Sequence, residues 1–167
     1  MTRSEMGALQ AETLSRLQRS FSWADIADHP AEPKVLVEHL WHQLDAIGVA
    51  PDEWRIDGCV GVLLRLALAA GHTVADVLER CSALREAGQK EYARAEDNAF
   101  ANFERVAGIV GMPREKVLLV YLLKHIDGIQ AWADGHKSQR EPVIGRICDA
   151  IVYLSLLRGM TRECSGT

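Results

Sequence analysis

The stretch VLLVYLLKHIDGIQAW, Val117 to Trp132, decides how the chain folds. Its apolar residues show no period-two alternation, and they recur at the three- and four-residue spacings of a helix. Lys124, His125 and Asp127 nevertheless sit in its middle. Three readings stand open: an internal salt bridge that holds helices together, a metal or phosphate site, or a polar stripe facing water. At 100° per residue, Lys124 and Asp127 point within about 60° of each other, on the side of Val117, Val120, Gly128 and Ala131. That side is apolar and small, so both charges are expected to face a helix-bundle interior.

The same helical period extends outward in both directions. Helices are expected over about 2–19, with Leu9, Leu14 and Leu17 as sparse apolar marks, and over about 33–48, with Val37, Leu40, Trp41, Leu44 and Ile47. Others follow at about 51–70, 74–94, 99–109, 113–134 and 142–159. Between them lie DHPAEP, with Pro30 and Pro33, then Gly48, Gly71, ARAEDNAF and DGHKSQR. Thr73, three residues before Asp76, suits an N-cap. The expected fold class is all-α, a bundle of about seven helices.

With 167 residues, 48% of them hydrophobic, the chain can bury a sizeable core. Cys59, Cys81, Cys148 and Cys164 show no CxxC or Cys/His spacing, which points to reduced thiols and a cytoplasmic setting. The start lacks a continuous apolar leader segment, and no apolar run reaches the roughly 18 residues of a membrane span. Net charge is −4, from 23 acids and 19 bases spread along the chain. No basic stripe offers itself to duplex nucleic acid.

Asp149, in GRICDAIVYLSLL, has Gly145, Val152, Tyr153 and Leu156 as its helical neighbours, a core stripe. A carboxylate there needs a nearby cation. Lys124 and Arg146 supply one in a purely structural network; a hard divalent ion bridging carboxylates supplies it in a functional site. Glu91 ends a helix beside an aromatic, a position that aims a carboxylate at a pocket mouth. Glu96 and Asp97 suit a solvated bend with capping duty, and Asn102 and Phe103 suit either packing or binding.

The order EYA, NFE, LLKHIDGI, EPVIGRICDAIVY resembles the nucleotide modification associated domain of phage and bacteria, a relative of the MazG-like all-α nucleotide pyrophosphohydrolases. Residue by residue, the resemblance falls on Glu91 and Tyr92, Asn102 and Phe103, Lys124 and Asp127, then Glu141, Asp149 and Tyr153. Gly128 stands where relatives often have Lys, Gly145 where they often have an acid, and Glu91 where Asp is commoner. The first half is similar to an eroded MazG-like copy: Glu38 matches, while His39, His42, Arg55 and Gly58 depart. Glu38, His42 and Asp45 share a helix face, read here as solvated. The resemblance divides the chain into a scaffold half at 1–72, a nucleotide modification associated domain at 73–160 and a tail at 161–167.

That resemblance implies a nucleotide substrate and Mg2+ (or Mn2+) as cofactor. It implies hydrolysis of a (deoxy)nucleoside triphosphate to monophosphate and pyrophosphate, in phage nucleotide metabolism or DNA modification. Glu91, Asp127 and Asp149 would be catalytic, and Glu91, Asp127, Glu141 and Asp149 would hold metal. Asn102, Phe103, Lys124 and Tyr153 would bind substrate. Apolar residues on several faces of the helices at 117–123 and 151–157 fit a homo-oligomer interface as well as a core. The alternative is a noncatalytic helical regulatory or assembly subunit whose charges form a buried ion-pair network.

Overall fold

Among the described residues, proline, glycine and side-chain caps mark out seven α-helices. The computed structural model describes residues 1–20, 31–95, 97–137 and 141–165, without the side chains of residues 14, 17–20 and 165. The helices are α1 (Arg3–Ser20), α2 (Pro33–Val49), α3 (Glu53–Ala69), α4 (Val74–Gly88), α5 (Ala101–Val110), α6 (Arg114–Ala133) and α7 (Val143–Ser165). A π-helical turn, Gln89–Ala93, continues α4. Among the described residues there is no strand, and no single helix is long and apolar enough to cross a membrane. The side chains of the expected marks Leu14 and Leu17, the first half of DHPAEP, Glu96 and the end of DGHKSQR lie outside the description.

Local chemistry explains the boundaries. Pro33 opens α2, where its missing N–H costs nothing. The Asp52 carboxylate accepts the Arg55 amide at 3.0 Å and caps α3. Thr73 and Asp76 form a reciprocal capping box on α4. Gly111, at φ 66°, closes α5 in a conformation that favours glycine. Two boundaries differ from the sequence reading. The helix expected to run to residue 94 widens into the π turn after Gly88 and stops at Arg94, φ 57°. The last helix continues through Ser165 into the segment read as a tail.

Helix α7 is the centre of the bundle, in contact with α1, α3, α4 and α6. Ion pairs fix directions: Arg114 at the start of α6 reaches Glu163 near the end of α7 at 2.7 Å, so the two run antiparallel. Trp41 Nε1 donates to Gln130 Oε1 at 3.1 Å and ties α2 to α6. One contiguous apolar core draws on α1 through α7, including Met6, Leu40, Leu63, Val77, Phe103 and Ile151.

Helix α6 turns a different face inward from the one expected. Its buried residues are Val117, Leu118, Leu122, Ile126 and Ile129. Val120 is 61% exposed, and Lys124 and Asp127 face solvent with it. The reason is the weight of leucine and isoleucine: burying the 118/122/126/129 stripe removes more apolar surface than burying Val120, Gly128 and Ala131. Glu38, His42 and Asp45 are exposed, as the solvated reading expected.

A buried ion-pair network does exist, at the far end of α7. Arg158 is fully buried. Its Nη1 donates to Asp57 Oδ1 and Thr13 Oγ1, both at 2.8 Å, and its Nη2 to Glu53 Oε2 at 2.5 Å. Arg162 pairs with Glu53 and Glu12, and Arg16 pairs with Asp57. Hydrogen bonds from Arg162 pull the Glu53 carboxyl down to about 2, against desolvation. Folded Glu53 therefore binds protons less well than unfolded Glu53. The stability it contributes is complete above about pH 4.5 and disappears as pH falls through about 2.

Loss of a partner should be asymmetric here. In Arg158→Met the acids keep Arg162 and Arg16, whereas Glu53→Gln combined with Asp57→Asn strands a fully buried guanidinium. The double variant should lose about 3–5 kcal/mol, more than Arg158→Met alone, in urea denaturation. The reverse order would show that Arg158 does not depend on these acids.

Candidate functional site

The π turn forms one wall of the site. Gln89, almost buried, donates through Nε2 to the Ala95 carbonyl at 3.2 Å. Arg94 Nε donates to the Glu91 carbonyl, and Arg105 Nη2 to the Tyr92 carbonyl at 2.6 Å. With the carbonyls held from outside, the side chains of Glu91 and Tyr92 face a cleft of about 240 Å³. A π turn within a helical run is a frequent mark of functional sites.

From the other side come Asn102 and Phe103 of α5 and Asp149 and Tyr153 of α7. Phe103 meets Tyr121 and Tyr153 edge-on, with ring centres 6.1 and 6.2 Å away. Tyr121 and Tyr153 lie nearly parallel at 6.3 Å, and the His125 ring is 5.5 Å from Tyr153. Burial and the nearby Asp149 charge push the Tyr153 hydroxyl up to about 12. It is therefore a neutral donor at physiological pH. Tyr92 is also raised, mainly by its hydrogen bond to Glu91.

Asp149 stands where this aromatic cleft meets an ionic cluster. Its Oδ2 is 3.5 Å from His125 Nδ1, and single donor atoms of His125, Glu141 and Asp149 all lie within 4.8 Å of one another. Burial pushes the Asp149 carboxyl up to about 6, and Glu141 adds to that rise, while Lys124 and Arg146 oppose it. Burial and Lys124 hold the His125 imidazole below its ordinary value, so it is neutral at pH 7. His125 Nδ1 is buried and makes no hydrogen bond.

Two glycines make room for charge. A Cβ on Gly145 would lie 3.3 Å from Glu141 Oε2, so the Glu141 carboxylate folds over Gly145 towards Asp149. A Cβ on Gly128 would lie 2.4 Å from Arg146 Nη1, so the Arg146 side chain lies across Gly128. Arg146 Nε is 3.6 Å from Glu141 Oε1. The positions read as lacking an acid and a base thus carry both, delivered from residues 141 and 146.

Of the residues singled out from sequence, Glu91, Tyr92, Asn102, Phe103, Asp149 and Tyr153 line one cleft. Glu141 joins Asp149 at its edge, and Lys124 acts on Asp149 through its charge. Asp127 does not join them; it is exposed and outside the donor cluster. His125 and Tyr121 were passed over as site residues. The signal for His125 was available: it falls in phase with Leu118, Leu122 and Ile129 on the inward face of α6.

Comparison with protein-family models, curated proteins and solved structures gave no match to this chain.

The raised Asp149 carboxyl has a measurable consequence. Its folded form holds a proton more tightly than the unfolded form, so its stabilising contribution is present below about pH 4 and is lost as pH rises through about 6. Asp149→Asn should therefore stabilise the protein at pH 7.5 by about 1–3 kcal/mol, with the gain disappearing near pH 4 in parallel urea denaturations. Destabilisation at pH 7.5 would mean that the carboxylate is matched by a structural partner.

Proposed function

We propose that the cleft binds a nucleoside triphosphate together with a divalent cation and hydrolyses it to monophosphate and pyrophosphate. One observation carries this reading: Asp149 has an aromatic slot on one side and a carboxylate, an imidazole and two cationic side chains on the other. A nucleotide has the same division, a flat base joined to a polyanion. The rings of Tyr92, Phe103 and Tyr153 offer surfaces for a base, and the Asn102 amide can both donate to and accept from its edge. Lys124 and Arg146 lie on the phosphate side, Arg146 with a fork suited to phosphate oxygens.

The donor set fits a divalent cation: two carboxylates and a neutral imidazole whose Nδ1 lacks a hydrogen bond. Such an ion, when bound, supplies charge neutralisation and acidifies a water. In hydrolysis, water adds at the α-phosphorus, the bond to the bridging oxygen breaks and pyrophosphate leaves. Asp149, as a ligand of that ion, would orient the acidified water, whose proton passes to solvent. Glu91, at the cleft mouth, positions Tyr92 through their hydrogen bond.

The noncatalytic alternative draws on one feature. Ile109, Val110, Met112, Val120 and Tyr121 are large apolar residues exposed on α5, α6 and the turn between them, which suits an assembly surface. Self-association through this region is compatible with either reading.

Asp149→Asn should reduce pyrophosphate release from a panel of nucleoside triphosphates by at least about a hundredfold, in a protein that remains folded. Asp127→Asn should stay within a few-fold of wild type, because Asp127 lies outside the cleft. Equal losses in both variants, or turnover that persists in excess chelator, would overturn the assignment.

A further inference from the structure

We infer that His125, Glu141 and Asp149 form a binding site for one divalent transition-metal ion, with His125 Nδ1 as a ligand, and that the site prefers such an ion to Mg2+. The inference deepens the proposed function by naming the kind of cation, but it rests on the donor cluster rather than on any nucleotide. The first support is geometric. One helix, α6, delivers His125 and the next, α7, delivers Asp149, while Glu141 arrives from just ahead of α7 across Gly145. Donor atoms within 4.8 Å of one another need only small side-chain rotations to close around an ion with bonds of about 2.1 Å.

The second support is the imidazole itself. The His125 side chain is 12% exposed, and its Nδ1 is buried without a hydrogen bond, 3.5 Å from Asp149 Oδ2. With its proton on Nε2, a neutral imidazole would present a lone pair there, towards the Asp149 carboxylate. A metal ion between the two would bond to both. The Tyr153 ring, itself stacked on Tyr121, packs against the His125 ring with centres 5.5 Å apart.

Donor type then sets the preference. Mg2+ favours all-oxygen surroundings and retains its waters, whereas imidazole nitrogen favours the Fe2+ to Zn2+ part of the first row. Lys124 and Arg146 oppose any cation here. Arg146, lying over Gly128 and 3.6 Å from Glu141, must swing outward when the ion enters, which also places its guanidinium for an incoming anion. Asp127, exposed on another side of α6, takes no part.

The test is titration of the full chain with Co2+ and with Mg2+ in the absence of nucleotide, followed by calorimetry and by Co2+ visible absorption. One Co2+ per chain should bind at least about tenfold more tightly than Mg2+. His125→Ala should weaken Co2+ by about tenfold or more and leave Mg2+ nearly unchanged, whereas Asp149→Asn should weaken both. If His125→Ala fails to fold, His125→Gln offers an amide oxygen and should narrow the Co2+ preference. Absence of saturable Co2+ binding, equal affinity for the two ions, or Co2+ binding indifferent to both His125 variants would overturn the inference. Adding nucleotide to the same samples separates the two proposals. Mg2+-dependent nucleotide binding indifferent to His125 sinks only the metal preference, and Co2+ binding with no nucleotide affinity sinks only the hydrolase reading.

Discussion

Helix α7 is surrounded by other helices, so every charge on it must be answered by a neighbour or raise the free energy of the fold. Two of its charges show the contrast: Asp149 and, nine residues or roughly 14 Å further along the axis, Arg158. The two are treated in opposite ways. Around Arg158, α1 supplies Thr13 and α3 supplies Glu53 and Asp57, so the guanidinium is hydrogen-bonded on two sides. Around Asp149 the neighbours are a neutral imidazole, a second acid and cations felt only from a distance. The arrangement of the bundle follows from that difference: one end of α7 is locked by ion pairs, and the other opens into a cleft.

This asymmetry separates structure from chemistry within a single helix. The Arg158 cluster draws α1, α3 and the end of α7 together, and Arg114 with Glu163 and Glu104 fastens the start of α6 and α5 to the same end. With that end fixed, the π turn and α5 can leave a gap beside Asp149 without loosening the core. The carboxylate left in the gap is held protonated more strongly than in water, and the imidazole beside it is held neutral. Groups in those states are poised to exchange protons or to accept a cation near neutral pH. A fold selected for stability alone would place an asparagine or an apolar residue at 149.

Much of the helical framework was legible in the sequence because caps and breakers act locally. Pro33, Thr73 with Asp76, Gly111 and Pro113 mark boundaries through their own backbone and side-chain chemistry. The π turn was not legible, since it depends on Arg94, Arg105 and Gln89 reaching carbonyls across the turn. The inward face of α6 was misread for a related reason. Angular proximity put Lys124 with Asp127, but the choice of buried face is made by total apolar area, which selects Leu118, Leu122 and Ile126 and brings His125 inward. Of the residues the motifs singled out, Glu91, Asn102, Phe103, Asp149 and Tyr153 line the cleft and Asp127 does not, and Arg158 was missed because a structural arginine carries no motif. Gly128 and Gly145 each leave a vacant Cβ position against which a charged side chain lies, Arg146 and Glu141 respectively.

The central claim is that Asp149 is an unmatched, half-buried carboxyl kept for its chemistry. Its protonation is directly visible in the side-chain carboxyl carbon resonance of the 13C-labelled, metal-free protein, followed from pH 3 to pH 8. The account predicts a transition midpoint near the value of about 6 that burial imposes. A midpoint at or below the ordinary aspartate value of about 4 would show that Asp149 is matched by a structural partner, and would contradict the account.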